Sequence, residues 1–184
     1  VNLRWVERRS AEEKQASVSL FDEARLGELG TLVGTLGRAD WLVDLVMVGD
    51  LAMTDLNREF RHVDSVTDVL SFSYLLDRGS SEPDLKTGQG YAYADLWLDP
   101  LGPGPDAEEA PAVGEVVLAP AFVTRRCLDN GWPLEHEMPL LVVHGIMHIL
   151  GWDHQDLEQT EAMQLAEEAI LAAGGLPHPL RRRS

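Results

Sequence analysis

Residues 142–155 read VVHGIMHILGWDHQ and hold three of the chain's six histidines, His144, His148 and His154. Imidazole is the commonest protein ligand for metals, and spacing decides whether several rings can share one ion. With Leu140 to Leu150 helical, His144 and His148 stand four residues apart, one turn from each other on the same face. Gly151 follows three residues after His148, and glycine accepts the left-handed conformation that ends helices. The chain can turn back there and bring His154 to the other two rings. Three neutral nitrogen ligands suit zinc, one ion per chain, with one tetrahedral position left open. Structural zinc sites close all four positions, usually with cysteine, and Cys127 is the only cysteine in the sequence. An open position that takes water is the arrangement used in catalysis. The competing reading is a cluster of histidines with a purely structural role.

The pattern H-x3-H-x2-G-x2-H has metzincin-like spacing. It matches the zinc-protease motif H-E-x-x-H-x-x-G-x-x-H at every ligand and at the glycine. It departs at the residue after the first histidine, where the protease general base gives way to Gly145. The ligand spacing is kept while peptide hydrolysis loses its proton acceptor.

A second stretch, Asn57 to Phe72, reads NREFRHVDSVTDVLSF. Together with HGIMHILGWDH it closely resembles the YbeY family of bacterial endoribonucleases. The counterparts of that family's blocks are Asn57 and Arg61, Thr67 to Phe72, Gly114-Glu115-Val116, and His144 to His154, in an order that supports the match from about Trp41 to Ala173. The segment around residues 75–111 looks longer than usual for the family, and the N-terminal strand and helix match loosely. The resemblance implies a zinc-dependent endoribonuclease acting on single-stranded RNA. It implies work on ribosomal RNA at the 3′ end of the 16S molecule, in ribosome quality control and in small-subunit assembly. It also implies His144, His148 and His154 as metal ligands, a functional arginine at Arg61, and the small ribosomal subunit and its proteins as partners.

Elementary chemistry agrees in outline. Zinc can lower the pKa of a bound water to about 7, giving hydroxide at neutral pH. Hydroxide could attack phosphorus, or zinc could instead activate the ribose 2′-hydroxyl or stabilise the leaving oxygen. A guanidinium such as Arg61 could grip two phosphate oxygens and offset charge in the transition state. The alternative for Arg61 is an exposed helix-end arginine pairing with Glu59 or Asp64, a weak and common arrangement. Two other functions compete: a zinc hydrolase of another substrate class, and a non-catalytic assembly factor in which zinc holds the fold.

Several neighbouring residues bear chemistry of lower specificity. Asp153 could orient a ligand or cap the turn after Gly151. Thr67 and Asp68 precede a strand and suit turn capping, and Ser71 reads as a strand residue. Glu115 could take a proton from a cleft, or be a strand-edge carboxylate. His136 is two turns before His144, too far along the axis for ligation. His62 and His178 have no partner pattern, Arg181 to Arg183 read as a solvated terminus, and Cys127 as a buried apolar residue.

The elements that must position these groups follow from periodicity. Val1 to Val6 has the alternation of a first strand, Arg8 to Ser19 reads as a polar connection, and Phe21 to Leu36 has helical spacing. Trp41 to Val48 is a strand, Asp50 is placed to cap a helix through about Arg61, and Asp68 to Tyr74 is a strand. Ser80 to Val113 reads mostly as loop, with Tyr91 to Leu98 a possible extra strand. Glu115 to Leu118 is a buried strand. Helices follow from Pro120 to about Asn130, from Leu134 to Leu150, and from an Asp156 cap to about Ala173. The expected fold is α+β: a small mixed β-sheet of about four strands with about five helices packed mainly on one face and the metal site at a helix end. The 184 residues are read as a single domain carrying an acidic loop insertion at about 75–113.

The formal net charge of −16 argues against simple electrostatic capture of nucleic acid. Residues 75–111 hold eight acids and two bases, so the acidity is concentrated. No apolar run reaches membrane-spanning length, and the first residues lack a secretory pattern. With one cysteine, these features lead to the expectation of a cytoplasmic protein without membrane partners.

Overall fold

The computed structural model describes residues 1–15, 23–34, 41–74, 112–152, 154 and 156–178. Four strands, β1 (Asn2–Glu7), β2 (Leu42–Met47), β3 (Val69–Ser73) and β4 (Ala112–Leu118), form one sheet in the order β1-β2-β4-β3. β1, β2 and β4 run parallel, and β3 closes the sheet antiparallel to β4, with Ser71 opposite Val116. Six helices accompany them among the described residues: α1 (Ala11–Gln15), α2 (Glu23–Val33), α3 (Asp50–Arg61), α4 (Pro120–Asn130), α5 (Leu134–Ile149) and α6 (Leu157–Ala173). This is the α+β architecture with a four-stranded mixed sheet expected from the sequence.

Strand alternation sorts the apolar residues onto two faces. Val43, Leu45 and Met47 of β2 and Val116 and Leu118 of β4 join a core with Leu29, Leu32 and Val33 of α2, Val123 and Cys127 of α4, and Met163 and Leu171 of α6. α5 runs through this core. From Glu137 to Ile149 only His144 and His148 on it are less than fully buried. On the opposite face, Val46, Leu70 and Val117 pack against Met53 and Leu56 of α3. Phe60 and Phe72 meet edge to face there, with ring centroids 5.2 Å apart. Helices therefore lie mainly on one face among the described residues, and α3, joined by Phe122 of α4, packs on the other.

Two glycines let α5 approach the sheet. A Cβ at Gly114 would sit 2.6 Å from the carbonyl oxygen of Phe72 and 2.8 Å from the Ile149 side chain. A Cβ at Gly145 would sit 2.7 Å from the Val116 side chain and 3.0 Å from Ser71 Oγ. Ser73 Oγ–H also donates to the Ile149 carbonyl at 2.9 Å, tying β3 to the last turn of α5.

Some boundaries differ from expectation. The polar stretch after β1 contains α1. Its signal is the capping box Ser10-x-x-Glu13: Ser10 Oγ accepts from the Glu13 amide at 3.2 Å while Glu13 Oε2 accepts from the Ser10 amide at 2.7 Å. Asp50 is the first residue of α3 rather than its cap. Gly49 takes the extended cap position, and the Asp50 carboxylate reaches across to Arg125 of α4. β4 begins at Ala112, so the expected insertion ends earlier than residue 113; its remainder, including Tyr91 to Leu98, lies outside the described residues.

Candidate metal centre

The last two turns of α5 fix two rings, and its termination fixes the third. Gly151 has φ of +93°. Its amide donates to the His148 carbonyl at 3.0 Å and the Trp152 amide donates to the Met147 carbonyl at 3.0 Å, the paired bonds of a Schellman ending. The reversal returns His154 to the helix. Ring centroids stand 4.5 Å apart for His144 and His148, 5.0 Å for His148 and His154, and 5.5 Å for His144 and His154. One nitrogen from each ring lies within 4.8 Å of the others.

The rings are held from behind. His144 Nδ1 is 2.7 Å from Glu167 Oε1, and His148 Nδ1 is 2.9 Å from the Trp152 carbonyl oxygen. Burial by itself would raise the Glu167 pKa, yet the hydrogen bonds from His144 and His178 outweigh it and hold the carboxyl below its usual range. An ionised carboxylate and a carbonyl both only accept, so each Nδ1 carries the proton and each Nε2 presents a lone pair. The two Nε2 atoms are 3.1 Å apart. Lone pairs so close repel unless a cation lies between them. A shared proton would serve two rings, whereas a metal ion uses the third, His154, as well. The arrangement thus fits a cation, and its all-imidazole donor set suits zinc or another borderline transition metal. Among the described residues no fourth His, Cys, Asp or Glu joins the group.

Gly145 shows why the protease base has no counterpart. The position after His144 faces β3 and β4, where even a Cβ meets Val116 and Ser71. A glutamate side chain has no room there.

Arg61 does not join the triad. It is the last residue of α3, exposed, on the helix that packs against the other face of the sheet. Of the two acids that could have paired with it, Glu59 and Asp64, Asp64 is bound by Arg58 at 2.6 Å, and Arg58 also holds Asp55 at 2.7 Å. Arg61 forms no ion pair among the described residues. The loop after it is closed by buried Asn57, whose Nδ2 donates to the Ser65 carbonyl at 2.7 Å.

Asp68 serves the turn before β3. Its Oδ1 accepts from the Val69 amide at 2.9 Å and from Thr67 Oγ1 at 3.1 Å, while Oδ2 pairs with Arg126. Glu115 is not at a strand edge: β4 is interior, and residue 115 lies between Asp44 of β2 and Phe72 of β3. Asp153 and Arg181 to Arg183 lie outside the described residues. Sequence reasoning missed Glu167 and His178, which bind each other at 3.1 Å. A signal existed: Met163, Glu167 and Leu171 are buried at intervals of four, and an acid inside the apolar stripe of a helix needs partners.

A family model described as Endoribonuclease YbeY matches residues 11–175. The chain is 37% identical to the Endoribonuclease YbeY of Moorella thermoacetica (strain ATCC 39073 / JCM 9320) over 143 residues, 78% of each protein. It is 30% identical to that of Desulfitobacterium hafniense (strain Y51) over 176 residues, 96% of this chain and 98% of the other. The solution structure of TM1509 from Thermotoga maritima aligns with 93% of this chain and 90% of that one, at 20% identity and a TM-score of 0.49.

Proposed function

This chain belongs to the YbeY endoribonuclease family, and from that premise we propose that it is a zinc-dependent endoribonuclease specific for single-stranded RNA, working in 16S rRNA 3′ end maturation, ribosome quality control and small-subunit assembly. On this reading residues 1–184 act as one domain, in the cytoplasm, with ribosomal RNA and small-subunit proteins as partners. No helix among the described residues is long and apolar enough to cross a membrane.

The observation that carries the metal reading is the pair of facing Nε2 atoms, each made a lone-pair donor by what its Nδ1 touches. His144, His148 and His154 would hold the zinc. Bound there, zinc would supply Lewis acidity for a water, a ribose hydroxyl or a phosphodiester oxygen. Glu167 and the Trp152 carbonyl keep two rings in the ligating tautomer. Arg61, which forms no ion pair among the described residues while Arg58 holds Asp55 and Asp64, would grip phosphate oxygens of the RNA.

The test is cleavage of single-stranded RNA by the wild type, Arg61→Ala and His148→Ala prepared in parallel, with metal analysis of each. About one zinc per wild-type chain is expected, less in His148→Ala, and cutting should fall at least 100-fold in both variants. Trace cutting that persists unchanged in both variants and under chelation would favour a non-catalytic assembly factor. The chain's net charge of −16 suits basic ribosomal proteins on that second reading.

A further inference from the structure

The carboxylate behind His144 is itself gripped from the far end of its helix. α6 ends in a reversal at Gly175, which has φ of +71°. The Gly175 amide donates to the Ala172 carbonyl at 3.0 Å and the Leu176 amide to the Leu171 carbonyl at 2.9 Å. The turn folds residues 176–178 back along α6. His178 Nε2 then lies 3.1 Å from Glu167 Oε2, with the two side chains 1% and 3% exposed. The opposite oxygen of that carboxylate takes His144 Nδ1.

We infer that His178 is a positioning residue for the metal centre, acting through Glu167 to hold His144 in its ligating tautomer and orientation. The inference rests on the metal-binding reading of the triad. The proton directions are set by the neighbours. His178 Nε2 faces a carboxylate oxygen, which only accepts, so the proton sits on Nε2, and the buried Nδ1 has no partner among the described residues. His178 Nε2–H and His144 Nδ1–H thus both donate to one carboxylate, one to each oxygen. Losing the first donor frees Glu167 to turn, and a rotated carboxylate no longer presents Oε1 to His144. The segment after α6 is on this account part of the metal site, although it supplies no ligand.

The test uses the full chain stripped of metal. Zinc affinity is measured by chelator competition for the wild type, His178→Phe, which fills the space without a donor, and His178→Gln, whose amide can donate from near the Nε2 position. The Phe variant should bind zinc about three- to tenfold more weakly, a smaller loss than the roughly 10- to 100-fold typical when a direct hydrogen-bond partner of a ligand is removed. The Gln variant should recover most of the loss. Nitrogen NMR of the metal-free proteins should find His144 in the Nδ1–H form in the wild type and a tautomer mixture in His178→Phe. Wild-type affinity in the Phe variant, or an Nε2–H His144 in the wild type, would overturn the inference whatever the variants' stability. A wild type that binds no zinc would instead remove the metal reading beneath it.

Discussion

Glu115 illustrates how one residue's environment sets a property of the protein. It stands on an interior strand beside Asp44, itself buried and bound bidentately by Arg4 at 2.8 and 2.9 Å. Burial pushes its carboxyl above the ordinary value and the Asp44 charge adds to this, while the adjacent Tyr74 hydroxyl offsets part of it. A carboxyl with a folded-state pKa above its unfolded one is neutral in both states at low pH and contributes nothing. As pH rises through that window the folded state must carry a poorly solvated charge, and stability falls. Glu115→Gln removes the charge, so it should stabilise the protein at pH 8 by on the order of 1 kcal/mol. The gain should vanish near pH 4. Urea unfolding of both proteins at the two pH values checks this, and an equal gain at both would refute it.

At the scale of elements, the site depends on how closely α5 lies on the sheet. Gly145 and Gly114 are the contact points, and each faces atoms a methyl group would displace. Gly145→Ala should destabilise by about 1–3 kcal/mol, the usual range for overpacking. Gly114→Ala should do worse, because its clash includes the Phe72 backbone carbonyl, which cannot rotate away as a side chain can. Chemical denaturation measures both. The spacing of His144 and His148, the break at Gly151 and the Asp156 cap, which accepts from the Gln159 amide at 2.8 Å, were all readable in the sequence because each is local. The one-turn helix α1 was readable too, through its capping box, but its lack of any buried residue leaves no apolar periodicity to notice.

For the whole molecule, charge and pairing decide how RNA can be held. Arg4, Arg9, Arg58, Arg125 and Arg126 are committed to acids within the fold. With a net charge of −16 and so many guanidinium groups occupied, few phosphates can be neutralised. On the proposed reading, a single-stranded RNA should therefore show a shallow salt dependence, with log affinity against log salt sloping less steeply than about −2. Titration of an uncleavable oligonucleotide from low to physiological salt measures the slope. A steep dependence would place many more phosphate contacts on residues such as the terminal arginines.

The amino-acid sequence by itself determined the histidine trio, the element order apart from α1 and the family, because helix pitch, glycine turns and contiguous motifs are properties of neighbouring residues. Only the tertiary structure decided what stands behind the rings. Glu167 reaches His144 from 23 residues along the chain, and His178 reaches Glu167 from the turn beyond α6. It also decided that Gly145 faces the sheet and that Asp64 belongs to Arg58 rather than Arg61. Such partners are set by packing across the core, where one short motif does not specify which distant side chain completes its hydrogen bonds.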